Sequence, residues 1–347
     1  MRWPLDIHRG LILSALVTST LACSNVTQPV NTASSTSVFT SEQQTPYPKG
    51  ASLHNIKVNG TTRKFLIHVP KDIDVPRAIV FVLHGGGGEG LNISTVGRFP
   101  MAEFRTVGDR EGFIVVYPEG LPARDRQGLA GWTDCRADNS VSSGSDDVGF
   151  LAALVSLIGT AYQLPSTHLF MAGSSNGGQM TQAFAFHHPE MLGAIASSVG
   201  SLPASPLPGR CSTGPSEPIP ILLSHGTDDP QMPYGGGCVA NIGGECNRGR
   251  VVSAEATRER WLSINNLTTT QPVQSTVDVN FADSGPAQRF MYTGQSPVEW
   301  WRLDGAGHAS PSKSVPVTTS RVVGIQNRDI EFAEVAWTFF KDQLPPT

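Results

Sequence analysis

Residues 167–178 read THLFMAGSSNGG, and the run continues into QMTQAFAFH. An apolar stretch passes without a spacer into Gly173-Ser174-Ser175-Asn176-Gly177-Gly178 and then into a helix-forming segment over 178–187. A strand followed at once by Gly-x-Ser-x-Gly and a helix describes one local structure, a sharp turn that carries a serine on a strained backbone at the edge of a sheet. The glycines are required because side chains at their positions would collide inside the turn. The helix that follows offers free N–H groups and the positive end of its dipole to a developing anion. Ser175 is thus the candidate nucleophile; its neighbour Ser174 falls off the spacing.

Working outward, the chain alternates strands and helices. Residues 52–59 and 62–69 alternate apolar and polar around Asn59-Gly60, a hairpin signal. Residues 78–83 (AIVFVL) and 113–117 (FIVVY) are continuously apolar, as central strands buried on both faces would be. Further strands are expected at 167–172, 193–199, 219–224, 273–281, 288–293 and 298–303. Helices are expected near 101–110 and over 147–162, 178–187, 253–264 and 329–342. The helix at 147 opens on Asp146-Asp147, with acidic residues at its positive end. This order implies the α/β class: one open, mostly parallel central sheet with helices on both faces.

A serine nucleophile needs a base, an orienting carboxylate and donors for the oxyanion. On such a sheet the order is Ser, then Asp or Glu, then His. Strand 219–224 runs into His225-Gly226-Thr227-Asp228-Asp229-Pro230, so the acid is Asp228 or Asp229, on the same rim as Ser175. His308, in Asp304-Gly305-Ala306-Gly307-His308, is the only histidine after His225 and is the base. Asp304 reads as a turn residue. Strand 78–83 ends in His84-Gly85-Gly86, so an N–H of Gly85 or Gly86 joins that of Asn176, the residue after the nucleophile, as oxyanion donors. His84 reads as a structural hydrogen-bonding residue. Trp132 and Tyr234 are candidate substrate-stacking surfaces, whereas Trp300 and Trp301 are expected to pack under a strand. No organic cofactor and no metal are required.

With 39% apolar and 16% charged residues, the chain can build one large core. Net charge is −4, without any run of Lys or Arg, which argues against nucleic-acid binding. Arg2 and Arg9, the stretch LILSALVTSTLA at 11–22 and the small residue Ala22 form an export signal too short to span a membrane. Cys23 then stands where a bacterial lipoprotein carries its lipid anchor, although Thr20 departs from that pattern. Residues 23–50 are rich in Ser, Thr, Gln, Asn and Pro and read as a flexible tether. The expected organisation is therefore a leader at 1–22, a tether at 23–50 and a single catalytic domain at 51–347, secreted or anchored at the outer surface. Export favours disulfides: pairing Cys238 with Cys246 across a Gly-rich loop leaves Cys135 to pair with Cys211.

These motifs resemble the α/β-hydrolase esterases that include polyhydroxybutyrate depolymerases of the lipoprotein-like type and bacterial feruloyl and acetyl xylan esterases. The resemblance covers about 78–310. It is carried by LHGGGG (83–88), SDDVGF (145–150), GSSNGG (173–178), SHGTDDPQMPY (224–234) and DGAGH (304–308). It implies an α/β-hydrolase fold, a catalytic acid at Asp229 and a loop beside the active site at Trp132–Cys135. It also implies a secreted serine esterase that cleaves feruloyl- or acetyl-type esters of plant polysaccharide through an acyl-enzyme. The alternatives are hydrolysis of 3-hydroxybutyrate polyesters or oligomers and, remotely, a non-catalytic surface lipoprotein. The family's Gly-His-Thr-Trp-Pro ending appears as Gly307-His308-Ala309-Ser310-Pro311, lacking the Trp, and the Cys238–Cys246 loop resembles an insertion. Both lie where substrate would be gripped.

Overall fold

The computed structural model describes residues 47–122, 129–139, 142–239, 246, 248–317 and 320–346. The leader at 1–22, Cys23 and most of the tether lie outside the described residues. Ordered packing begins earlier than position 51. Tyr47 is buried, its ring lies edge-on to His54 and Phe65, and its N–H donates to the Tyr162 hydroxyl.

The ten strands of the main sheet, in chain order, are β1 (Gly50–Val58), β2 (Thr61–Val69), β3 (Ala78–Leu83), β4 (Phe113–Pro118) and β5 (Leu169–Ser174), followed by β6 (Ala194–Ser198), β7 (Ile221–Gly226), β8 (Val273–Val277), β9 (Ala287–Tyr292) and β10 (Val298–Leu303). Their spatial order is β1-β2-β4-β3-β5-β6-β7-β10-β9-β8. The six strands from β4 to β10 are parallel. An antiparallel pair closes each edge. The first hairpin turns at Asn59-Gly60, both with positive φ, the geometry that Asn-Gly supplies at least cost.

The main helices are α1 (Glu103–Glu111), α2 (Asp147–Ala161), α3 (Asn176–His187), α4 (Ala254–Ile264) and α5 (Phe332–Lys341). Alternate side chains of β3 enter opposite layers, as the period of a strand requires. Ile79, Phe81 and Leu83 join a core with Leu151 and Leu154 of α2, Phe184 of α3 and Trp261 of α4. Ala78, Val80 and Val82 join a second core with Phe104 of α1 and Trp337 and Phe340 of α5. Helices therefore cover both faces.

The SDDVGF segment divides its two acids. Asp146 caps α2, its side chain accepting from Gly149 N–H. Asp147 is buried and pairs with the Arg63 guanidinium at 2.7 Å, which itself lies over the Phe150 ring. A buried pair of this kind tolerates no loss of one partner. Asp147 also accepts from Thr133 N–H at 2.7 Å, tying α2 to the loop that holds Trp132. The disulfides are Cys135–Cys211 and Cys238–Cys246. Among the described residues no helix is long and apolar enough to cross a membrane.

Candidate active site

The turn between β5 and α3 places Ser175 at φ 57°, ψ −123°, a conformation that L-residues adopt only under strain. Two glycines make room for it. A Cβ at Gly173 would strike the Gly177 carbonyl, and one at Gly177 would strike the carbonyls of Leu83 and His84. The strand ends and the turn are thus pressed together more closely than side chains permit.

The residues separated in sequence meet here. Ser175 Oγ lies 2.7 Å from His308 Nε2, and His308 Nδ1 lies 2.7 Å from Asp229 Oδ2. Asp229 follows β7 and His308 follows β10, and these strands are neighbours in the sheet, so both side chains emerge at one rim. Asp229 is 5% exposed, and its other oxygen, Oδ1, accepts from the N–H groups of Gln231 and Met232 at 2.8 and 2.7 Å. His225 Nε2, donating to the Met232 carbonyl at 2.8 Å, also faces Asp229 Oδ2 at 3.4 Å. Burial pushes the Asp229 carboxyl up. The charge of His308 and the hydrogen bonds from His225 and His308 outweigh that and hold it well below the usual carboxylate range. Asp228 is exposed; its carboxylate accepts from the Thr227 hydroxyl at 3.4 Å, and its backbone N–H donates to the Ala306 carbonyl at 2.9 Å. Of the two candidate acids, the geometry brings Asp229 to the imidazole.

The loop after β3 covers Ser175. A Cβ built on Gly85 would lie 3.4 Å from Ser175 Cβ, and one on Gly86 would lie 3.5 Å from Asn176 Cβ. The N–H groups of Gly87 and Gly88 are committed to the carbonyls of Ala130 and Gly85. Among the described residues, Gly85 and Gly86 are therefore the members of the run left to face a ligand. His84 is buried: Nδ1 donates to the Gly85 carbonyl at 2.8 Å and Nε2 accepts from Gly120 N–H at 2.9 Å. Burial lowers its pKa to about 4, so it stays neutral and structural.

An open cleft lies beside Ser175, with Gly86, Asn176, Gln179, Arg136 and Met232 in its walls. The two aromatic residues expected to grip substrate are not in it. Trp132 is fully buried, with its indole N–H on the His84 carbonyl at 2.8 Å, and presents no face to a ligand. Tyr234 packs against His225 and Trp300 and hydrogen-bonds Glu255, outside the cleft lining among the described residues. Trp132 therefore offers no stacking surface, whereas Tyr234 is half-buried beside the described cleft lining: residue type alone does not say which layer a side chain enters. Trp300 and Trp301 are buried, as expected of residues under a strand.

Sequence reasoning missed Asp134, Arg136 and Gln179. Asp134 and Arg136 form a buried fork–fork pair, with Nη2 to Oδ2 at 2.6 Å. They lie in a loop with no periodic pattern. Gln179, one helical turn after Ser175, could have been placed beside it from helix geometry. Cys135, His187 and Cys211 also cluster, but the two sulfurs are joined in a disulfide and are not thiolate ligands.

No family model matches the chain. A protein of Nocardia uniformis subsp. tsuyamanensis named as the esterase NocK is 28% identical, over 65% of this chain and 65% of its own length. A feruloyl esterase B of Neurospora crassa is 28% identical over 46% of this chain and 51% of its own. The chain thus spans about half to two thirds of the length of these two relatives. An acetyl xylan esterase from Aspergillus awamori superposes with a TM-score of 0.52 at 17% identity, covering 78% of this chain and 97% of that one. An S-formylglutathione hydrolase from Agrobacterium tumefaciens gives 0.50 at 12% identity, with 85% and 95% covered. The chain has the α/β-hydrolase fold, and its sequence relatives carry esterase names.

Proposed function

We propose that the protein is a serine carboxylic ester hydrolase. The observation that carries this reading is the continuous hydrogen-bonded chain from Ser175 through His308 to Asp229, with Ser175 at a positive φ. Ser175 Oγ attacks the ester carbonyl while His308 Nε2 takes its proton. Asp229 holds the Nδ1–H tautomer and stabilises the imidazolium. The carbonyl oxygen becomes an oxyanion received by Asn176 N–H and by the Gly85–Gly86 segment. His308 then returns its proton to the leaving alcohol, and the C–O bond breaks to leave an acyl-Ser175. Water, deprotonated by His308, attacks that ester and releases the carboxylic acid. No step draws on a cofactor.

The names of the relatives support feruloyl- or acetyl-type esters of plant polysaccharide as the substrate class. The leader at 1–22 adds export, with the remaining chain tethered from Cys23 or released. The test is hydrolysis of methyl ferulate, acetylated xylan and a soluble 3-hydroxybutyrate oligomer, with Ser175→Ala as control. Release of ferulate or acetate that the variant loses supports the reading. Cleavage of the oligomer alone moves the substrate to polyesters. A Ser175→Ala enzyme with full activity overturns the mechanism.

A further inference from the structure

The buried Trp132 touches both halves of the proposed oxyanion hole. Its indole Nε1–H donates to the His84 carbonyl at 2.8 Å. That carbonyl shares a peptide plane with Gly85 N–H, and in a trans peptide the two bonds point in opposite directions. Fixing His84 C=O therefore aims Gly85 N–H. The backbone of Trp132 holds the other half. Its N–H donates to Asn176 Oδ1 at 2.8 Å, and its carbonyl accepts from Asn176 Nδ2 at 3.2 Å. Asn176 is the residue whose backbone N–H is the second donor.

The clamp is itself braced. Asn176 Nδ2 also donates to Asp134 Oδ2 at 2.7 Å, and Asp134 is locked by the Arg136 fork. The next residue after Asp134, Cys135, is tied to Cys211. The Trp132 ring packs on the His84 ring with centroids 4.8 Å apart. The His84 Nδ1–H in turn holds the Gly85 carbonyl, which aims Gly86 N–H by the same peptide geometry. Whichever glycine supplies the first donor, its peptide plane is set by the Trp132–His84 pair.

We propose that Trp132 is the positioning residue of the oxyanion hole, registering the Gly85–Gly86 donors against the Asn176 donor. It touches neither substrate nor nucleophile; it acts through the His84 carbonyl and the Asn176 amide. The proposal rests on the esterase reading.

Trp132→Phe keeps the ring and removes the indole donor. Active sites are counted by titration with diethyl p-nitrophenyl phosphate, so a misfolded fraction does not enter the rates. Removing an oxyanion donor outright costs about 10²–10³ in rate, and a donor left in place but free to tilt should cost about 10-fold. The expected result is a kcat for p-nitrophenyl acetate, per titrated site, about 10-fold lower, with KM within about twofold. The inhibition constant of phenylboronic acid, whose tetrahedral adduct on Ser175 fills the hole, should rise by a similar factor. A merely structural tryptophan would lower the titrated fraction and leave both per-site values unchanged; that outcome overturns the proposal. Asn176→Ala keeps the backbone donor and removes the side-chain clamp. It carries the same two expectations and decides the matter where Trp132→Phe yields no folded protein. If the wild-type chain neither hydrolyses the ester nor is labelled by the phosphate, the esterase reading fails and this inference falls with it. Normal wild-type activity with unchanged per-site values in the variants refutes this inference alone.

Discussion

Asp229→Asn is the substitution for which the structure makes the sharpest prediction. Asp229 Oδ1 accepts two backbone N–H groups, from Gln231 and Met232, at 2.8 and 2.7 Å. An Asn in its place must keep its oxygen on those donors, because turning its NH₂ toward them would bury two clashing N–H pairs. The NH₂ is then forced to the position of Oδ2, 2.7 Å from His308 Nδ1. A donor there demands an unprotonated Nδ1, so the imidazole carries its proton on Nε2, the atom facing Ser175 Oγ. That tautomer cannot take the serine proton. The expected loss in kcat is about 10⁴-fold, or about 5 kcal/mol of transition-state stabilisation. Stopped-flow measurement of the p-nitrophenol burst on p-nitrophenyl acetate separates acylation from binding, and KM should change far less than kcat. Asp228→Asn, at the exposed neighbour, is the control and should stay close to wild type. An Asp229→Asn enzyme within about 10-fold of wild type would refute the tautomer argument. The depressed Asp229 pKa has a stability consequence of definite sign. Its contribution is present above the ordinary aspartate range and is lost as pH falls toward the folded value, so the acid limb of stability should be shallower in the Asn variant.

Three further perturbations test other parts of the structure. Removing Cys135–Cys211, which spans 76 residues, should cost more stability than removing Cys238–Cys246, which spans 8; chain entropy gives about 4.5 against about 2.5 kcal/mol, measured by urea unfolding of the paired Cys→Ser variants. Gly177→Ala introduces a Cβ against the Leu83 and His84 carbonyls, so it should displace the Gly85–Gly86 loop and lower kcat in whatever fraction folds; unchanged kcat would mean the loop yields without consequence. Glu119, which accepts from Gly90 N–H at 2.6 Å, has its pKa raised by burial to about 7, with the Gly90 hydrogen bond opposing that rise. A carboxyl raised in the folded state loses its contribution as pH climbs from its unfolded value toward 7. Thermal unfolding should therefore show stability declining over that window, and Glu119→Gln should flatten the decline.

Much of this molecule was readable in its residues. The β3 run AIVFVL, the turn at Asn59-Gly60 and the strand–GSSNG–helix succession are local patterns, and β3, the hairpin and α3 appear within a few residues of the expected bounds. Chain order alone singled out His308. The stretch that misleads is the one around Trp132. The chemistry of Trp132 suggests a stacking surface, but its exposure depends on what packs over it, and that is a property of the whole fold. Asp134 and Arg136 carry no periodicity, yet they brace Asn176.

The sequence by itself determined the class of fold and singled out Ser175 and His308 as the candidate nucleophile and base. It did so because hydrophobic period, glycine placement and strand-to-helix punctuation act over a handful of neighbouring residues. It left Asp228 and Asp229 as alternatives on residue chemistry alone, since adjacent side chains on one turn differ only in where they point. The tertiary structure settled which of them reaches His308, across a sequence separation of 79 residues. It also decided that Trp132 lies beneath the oxyanion loop, where its indole, its backbone and the Asn176 amide meet. Such long-range hydrogen bonds exist only after the parallel strands have brought their C-terminal ends to one rim.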